Sequence, residues 1–346
     1  MYPYVMALYK YPVKLRGIYQ NIPLSELNSY LQSSCVIAEV VLDTNEPVYP
    51  KVLNDKLIFP IGNFVTTLTT PSLNYAMRHN HIISCKQAAV YSATVIFQAY
   101  VNTLYNLRQQ YKQQGNPTFA LMAKYMLNTL YGKFGQQGRV FDNIDIVDNN
   151  DVKAWKEYDM RTGLLSSYRQ FGGIVQQERK EGESFNSHPA IAAHVTDYAR
   201  MYLWQLIQHA GIDNVYYVDT DSLTINDAGY IALADYMDNE RLGLLKTEYS
   251  FNDLTIYAPK DYVFGDRVKT KGIRRNAILI GNNTYEQDKF IQFKGMIRQG
   301  DIDRIMVMRQ RKHLRRIYDK GTVTASGRVT PIHLPVPVVA EILTQH

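Results

Sequence analysis

Residues 215–225 read VYYVDTDSLTI. An apolar run ends in Asp219-Thr220-Asp221-Ser222, with two carboxylates two positions apart. On a β-strand, residues i and i+2 point to one face, so the spacing predicts Asp219 and Asp221 side by side. Two like charges held that close raise each other's pKa, and a cation between them removes the problem. The pair is therefore a candidate for a hard divalent metal. The plain alternative is a hairpin tip, where Asp is common because it caps turns. An isolated D-x-D does not decide between these readings.

A second polar set lies in TFALMAKYMLNTLYGKFG, which reads as a helix. Lys124, Asn128 and Tyr131 follow the spacing i, i+4, i+7 and share one face, with Gly132 next in sequence. A lysine, an amide and a phenol make a poor core stripe. They suit a phosphate, a polar edge and a planar ring. The preceding helical stretch supplies Arg108 and Lys112, again four apart. If the two helices close as a hairpin, three cations converge on one anion, and a triphosphate is such an anion. The alternative is an ordinary solvated helix face. Triphosphate chemistry would give the two aspartates a role, since phosphoryl transfer uses divalent metal held by carboxylates and the substrate's own oxygens.

Positioning these groups needs a mixed chain. VIAEVVLD, KLIFPIGNF and VTTLTT read as strands. TPSLNYAMRHNHI reads as a helix with Pro71 in its first turn. A long helical pattern runs from Ala89 to Tyr111, with Phe97, Tyr100, Leu104 and Leu107 on one side, and QQGNP breaks it before the next helix. Residues 135–188 are rich in Gly, Asp, Asn, Glu and Ser, and read as a small inserted, partly β element. PAIAAHVTDYARMYLWQLIQHA is a third helix leading into Val215. Strands containing YAPKDYVFGD and VKTKGI follow, and MVMRQRKHLRRIYDK reads as a basic helix.

With 346 residues and 46% hydrophobic content, the chain can bury a sizeable core in two or three subdomains. No apolar run approaches the roughly 20 residues of a membrane span, and the first residues do not resemble a signal peptide. Two cysteines, Cys35 and Cys85, without a C-x-x-C pair, fit a reducing compartment and argue against a zinc site or disulfide framework. A net charge of +6 admits a polyanionic partner. His188, His194 and His209 have no metal-ligand spacing and read as surface or core residues.

The two motifs together carry a resemblance. K-x-x-x-N-T-x-Y-G from Lys124 to Gly132, followed by Y-x-D-T-D-S from Tyr217 to Ser222, is similar to motifs B and C of family B DNA polymerases in residues, order and separation. The usual Ser after the Asn is Thr129 here, which keeps the hydroxyl. Lys260-Asp261-Tyr262 resembles the family's K-x-Y motif, which contacts the primer strand, and MYPYVM resembles the end of motif A. The spacing is similar to the protein-primed branch used by some phages and linear plasmids. The resemblance implies an α+β right-hand polymerase core with an antiparallel palm sheet, a two-helix fingers hairpin and a small thumb. It implies palm in residues 1–88, fingers in 89–134, a strand-displacement insertion in 135–188, palm again in 189–275 and thumb and tail in 276–346. An insertion that docks the priming protein would fall between about 30 and 80.

The resemblance also implies roles. Asp219 and Asp221 would be catalytic metal ligands for two Mg²⁺ or Mn²⁺ ions. Tyr2, as the residue that excludes a 2′-hydroxyl, would join Arg108, Lys112, Lys124, Asn128 and Tyr131 in binding the deoxynucleoside triphosphate. Gly132, Thr220, Ser222, Lys260, Tyr262, Lys269, Lys271, Arg311 and Arg315 would contact primer–template DNA, with the run Arg309, Arg311, Lys312, Arg315, Arg316 tracking its backbone. A terminal priming protein would be a further partner, and a membrane would not. The expected setting is the cytoplasm of a phage-infected or plasmid-bearing cell, or an organellar matrix, without secretion. This alignment puts Met1 inside motif A, so the motif's Asp and the family's exonuclease domain fall outside the sequence. Primer extension by this stretch alone is therefore expected to be impaired. A DNA-binding module without metal chemistry is the second reading. A reverse transcriptase or RNA polymerase fits less well, because those sites usually carry adjacent acids.

Overall fold

The computed structural model describes residues 1–292, 295–296 and 307–335. The assignment of thumb and tail to 276–346 therefore lies partly outside the described residues. Two compact units divide the chain: one takes Met1–Gly135, His188–Ser250 and the segment from Tyr318 onward, and the other takes Gln136–Ser187 and Phe251–Ile317.

The first unit opens with α1 (Tyr2–Leu8), β1 (Tyr11–Gln20), α2 (Leu24–Ser33) and β2 (Cys35–Thr44). A small hairpin of β3 (Lys51–Leu53) and β4 (Lys56–Ile58) leads to β5 (Ile61–Thr69), α3 (Thr70–Arg78) and β6 (Ile82–Thr94). A five-stranded sheet runs in the order β1-β6-β2-β5-β21, where β21 is His333–Leu334 and pairs parallel to β5; the other pairs are antiparallel. Residues 30–80 supply its inner strands β2 and β5. In β2 the burial alternates as the period-2 pattern of VIAEVVLD requires, with Val36, Ala38, Val40 and Leu42 inward. Leu27, Leu42, Leu68 and Leu73 are fully buried beside them, each stabilising by about 1.5–3 kcal/mol.

α4 (Gln98–Gln113) and α5 (Pro117–Phe134) form the expected helical hairpin. The turn has a local cause: Gly115 has φ +67°, the Asn116 side chain accepts the Phe119 N–H at 3.2 Å, and Pro117 occupies the first helical position. The stretch from Ala89 differs from the expected helix. Residues up to Thr94 belong to β6, which pairs with both β1 and β2, and the helix begins only at Gln98. AAVYSAT is short enough to read either way, and two flanking strands decide it. The helical stripe is real from Phe97, with Phe97, Val101 and Leu104 buried.

α6 (Pro189–Ala210) is about 33 Å long at 1.5 Å per residue and joins three core clusters. Met201 and Trp204 pack with the sheet, Ile191, Val195 and Ala199 pack with α1, α4 and α5, and Leu206 and Ala210 pack beneath a hairpin. That hairpin is β11 (Val215–Asp219) and β12 (Ser222–Ile225), followed by α7 (Asp227–Ala232). A buried polar clamp fastens α6 to α3. The Asp197 carboxylate accepts from the Thr69 hydroxyl at 2.5 Å, the Ser72 hydroxyl at 2.6 Å and the Arg200 guanidinium. His194 donates from Nδ1 to the Ala190 carbonyl at 2.7 Å and accepts at Nε2 from the Thr70 hydroxyl at 3.0 Å.

In the second unit, β7 (Gln137–Ile146), β8 (Lys153–Asp159), β9 (Leu164–Phe171) and β10 (Ile174–Glu183) form an antiparallel sheet ordered β7-β10-β9-β8. β13 (Leu254–Ala258), β14 (Asp261–Phe264) and β15 (Arg267–Lys269) make a three-stranded sheet. β16 (Ile278–Gly281), β17 (Thr284–Phe290) and β18 (Val307–His313) make another. The basic segment is therefore strand where helix was expected. Arg309 and Arg311 face Asp288 and Glu286 across the β17–β18 ladder, and that pairing outweighs the helix propensity of an Arg/Lys run. In the first unit, β19 (Gly321–Val323) and β20 (Val329–Pro331) form a short hairpin ahead of β21.

Candidate active site

Asp219 and Asp221 do not share a strand. Asp219 closes β11 opposite Ser222, while Thr220 and Asp221 form the turn. The Asp221 N–H donates to the Asp219 carbonyl at 2.7 Å, and Thr220 sits at φ +61°. Both carboxylates thus leave a tight tip, through a bend rather than through strand alternation. Positive φ in a β-branched residue is an outlier that costs on the order of 1–3 kcal/mol. The Thr220 hydroxyl donates to Asp219 Oδ1 at 3.1 Å and the Ser222 hydroxyl to the Asp219 carbonyl at 3.1 Å. Two solvent-accessible carboxylates on a hydroxyl-braced tip are a donor set that fits a hard divalent cation. Among the described residues no group of three or more His, Cys, Asp or Glu side chains gathers as a metal site.

Three distant segments meet near this tip. Tyr2 on α1 stacks on Tyr131 of α5, with ring centroids 4.4 Å apart and planes at 27°. Burial first, then the Tyr131 phenol and then the Asp221 carboxylate push the Tyr2 phenol up to about 12. Each cause opposes an added negative charge on Tyr2. Tyr2 of α1, stacked on Tyr131 of α5, therefore lies within electrostatic reach of Asp221. On α5, Lys124 and Asn128 are exposed, and the Thr129 hydroxyl bonds back to the Tyr125 carbonyl at 2.8 Å. Gly132 is helical, and a Cβ there would meet nothing within 4 Å.

The cations also converge. Burial, followed by Arg108 and Lys246, lowers the Lys112 pKa from the ordinary lysine value; Lys124 adds to this and Glu240 opposes it. By their electrostatic effect on Lys112, Arg108, Lys124 and Lys246 are its charged neighbours, and Lys246 is one that sequence reasoning missed. A solitary lysine in a loop carries no periodic signal. The loop after α7 also hid its role. The Glu240 carbonyl accepts from the Tyr105 hydroxyl on α4, and the Gly243 carbonyl accepts from the Tyr202 hydroxyl on α6 at 2.8 Å. Gly243 has φ +96°, and a Cβ there would strike the Tyr4 ring. Glycine is required at that position on both counts.

The remaining candidates lie in the second unit. Lys260, at φ +63°, occupies the turn between β13 and β14. Tyr262 stacks on Phe264 at 3.9 Å, and the Lys269 ammonium lies 5.8 Å from the Tyr262 ring centre. Between Lys260 and Tyr262, Asp261 is buried and receives the Arg316 guanidinium at 2.9 Å. Arg316 also covers the Tyr257 ring at 3.8 Å. Arg316, expected from the sequence in the run that tracks the DNA backbone, is held here by Asp261 and Tyr257, and Asp261 was named from the sequence only as the middle residue of Lys260-Asp261-Tyr262. Lys312 donates to the Gly272 carbonyl at 2.8 Å. Lys271, Arg311 and Arg315 are exposed. The exposed pairs of Arg309 and Arg311 with β17 are weak and can exchange for a phosphate.

An antiparallel helical hairpin with a Lys-Asn-Tyr face, set beside a D-T-D β-hairpin, defines an α+β polymerase fold with palm and fingers. The structure is similar to phi29 DNA polymerase in its orthorhombic crystal form, with a TM-score of 0.58, 17% identity, and coverage of 91% of this chain and 56% of that one. It is also similar to phi29 DNA polymerase in its ternary complex with primer–template DNA and incoming nucleotide, with a TM-score of 0.56 and 16% identity over 91% and 56% of the chains. Among curated relatives, a probable DNA polymerase of Neurospora intermedia is 25% identical over 284 residues, and one of Ascobolus immersus is 27% identical over 212. These matches take in 76% and 60% of this chain but only 28% and 17% of the relatives' lengths. Residues 1–188 match the family described as DNA polymerase type B, organellar and viral, and the chain belongs to that family. DNA polymerases depend in general on divalent metal. Among the described residues no helix is long and apolar enough to cross a membrane.

Proposed function

We propose that this chain is the nucleotide-adding core of a DNA-directed DNA polymerase of the protein-primed type. It would extend a primer 3′-hydroxyl with deoxynucleoside triphosphates on a DNA template. The observation that carries the reading is the meeting of Tyr2, Tyr131 and the Asp221 charge, from three stretches far apart in sequence, in the unit that also holds the Arg108–Lys112–Lys124 cluster. Neither a solvated helix face nor a plain turn cap accounts for that convergence.

In this reading Asp221 and Asp219 would contribute ligands to two Mg²⁺ or Mn²⁺ ions, which would supply charge neutralisation on the phosphates and activation of the attacking hydroxyl. Arg108, Lys112 and Lys124 bind the triphosphate and take up negative charge as pyrophosphate leaves. Asn128 meets a polar edge of the incoming nucleotide. The Tyr2–Tyr131 pair makes a flat floor for the sugar and base, and the Tyr2 ring excludes a 2′-hydroxyl. Gly132, Thr220, Ser222, Lys260, Tyr262, Lys269, Lys271, Arg311 and Arg315 contact primer–template DNA, chiefly through phosphates. A terminal priming protein is the further partner, and the setting is the cytoplasm of a phage-infected or plasmid-bearing cell, or an organellar matrix.

The test is Asp221→Asn in a longer version that carries the motif A Asp upstream of Met1, with nucleotide incorporation and duplex binding measured side by side. Loss of incorporation on the order of a hundredfold or more with duplex binding retained is expected. Incorporation that survives the substitution would sink the metal assignment and favour a DNA-binding module without chemistry.

A further inference from the structure

The cation cluster has a member that does not come from the helical hairpin. Lys246 follows Leu245, whose backbone is held on both sides: its N–H donates to the Tyr236 carbonyl at 2.8 Å and its carbonyl accepts the Asp238 N–H at 2.8 Å. The Leu245 side chain packs against the core of Leu206, Ala210 and Leu233. The start of Lys246 is therefore fixed by a partly buried anchor. Upstream, the Glu240 carbonyl is gripped by Tyr105 and by Gln109, the latter at 3.4 Å. Tyr105, Arg108, Gln109 and Lys112 recur at spacings of three and four, so they share one face of α4. The loop thus lies along the helix face that carries the cations.

The local charge balance is uneven. Around Lys112, the cations Arg108, Lys246 and Lys124 act against its charge and the Glu240 carboxylate favours it. Lys246 reaches Glu248 only at 3.9 Å, with both side chains well exposed, and such a pair holds a lysine weakly. Like charges gathered this way repel one another until a polyanion enters.

We propose that Lys246 is a further ligand of the incoming triphosphate, presented by the 237–246 loop that Tyr105 and Gln109 hold on the cation-bearing face of α4. The inference rests on the nucleotide-binding reading given above. Its consequence is a triphosphate bound by Arg108, Lys112 and Lys124 on the hairpin and also by Lys246 on a loop anchored to the α6 core.

The probe is inorganic tripolyphosphate with Mg²⁺, titrated calorimetrically against the protein and its Lys246→Ala, Lys246→Glu, Lys246→Arg and Lys124→Ala variants. Lys246→Ala is expected to weaken binding roughly three- to tenfold and Lys246→Glu further, whereas Lys246→Arg should restore it. The affinity for primer–template DNA should stay within about twofold throughout the Lys246 series. If Lys124→Ala weakens tripolyphosphate binding and the Lys246 variants do not, Lys246 is only the surface partner of Glu248, and this inference falls alone. If neither lysine matters, the triphosphate reading itself falls.

Discussion

Thr220 and Gly132 hold conformations or positions that folding alone disfavours. A β-branched residue at φ +61° and a glycine inside an eighteen-residue helix both cost stability. Thr220 turns the chain so that Asp219 and Asp221 leave one tip. Gly132 has no close neighbour to explain it, since a Cβ would meet open space. What the glycine provides is bare helix backbone that a flat partner can approach. Gly132→Ala is therefore expected to stabilise the protein by about 0.5–1 kcal/mol and to weaken primer–template binding. Thermal melts and DNA titrations on the same samples check it, and unchanged DNA affinity would remove Gly132 from the binding surface. At this scale the sequence was informative where residue types were unusual for their setting. Lys124, Asn128 and Tyr131 stood out because a lysine and an amide on a helical stripe make a poor core face. Lys246 did not, because one basic residue in a loop looks like solvated surface until its neighbours are known, and the pairing of Arg316 with Asp261 was hidden inside a basic run read as following DNA.

The element that organises the first unit is α6, and its clamp to α3 is sensitive to pH. Burial, against the opposing effects of the Ala190 carbonyl and Asp197, lowers the His194 pKa to about 4, from an ordinary value near 6.5. The neutral ring is the one that fits, donating to Ala190 and accepting from Thr70. Because the unfolded chain binds the proton more readily, this contribution is present in full above about pH 6.5. It is lost as pH falls toward 4, and amounts to on the order of 3 kcal/mol. Denaturant midpoints measured from pH 7 to pH 4 should fall across that window, and His194→Gln should flatten the fall. An unchanged slope in the variant would assign the acid sensitivity to other groups. Elements were legible where both ends carried a mark. The Asn116-Pro117 start of α5 and the Pro189 start of α6 are such marks. β6 and β18 were misread because their state is set by partner strands, β1 and β2 in one case and β17 in the other. No feature of AAVYSAT or MRQRKH announces those partners.

On the scale of the molecule, the polymerase fold was legible because two motifs and their separation survive in the sequence. The division into two interleaved units was not. The chain passes between them at Gly135, Ser187, Ser250 and Ile317, and only the polar stretch that follows the first crossing has a distinct composition. The first unit consequently takes strands from both its early and its late segments. Gly62, at φ +93°, lies so close to the Leu334 carbonyl that a Cβ would collide with it, and the Ile61 N–H donates to the Ile332 carbonyl at 2.9 Å. This return has a consequence for the ribosome. β1, β2, β5 and β6 have all been made once Thr94 is joined, and β21 follows about 240 residues later, roughly 12–48 s at 5–20 residues per second. For that interval the nascent sheet keeps the Ile61–Gly62 edge of β5 open, which is the kind of edge that invites pairing with another chain. Hydrogen exchange at the Ile61 amide should be fast in nascent chains stalled before Ile332 emerges and slow in those stalled well after it. Equal protection in both would mean that the last strand is no part of what closes the sheet.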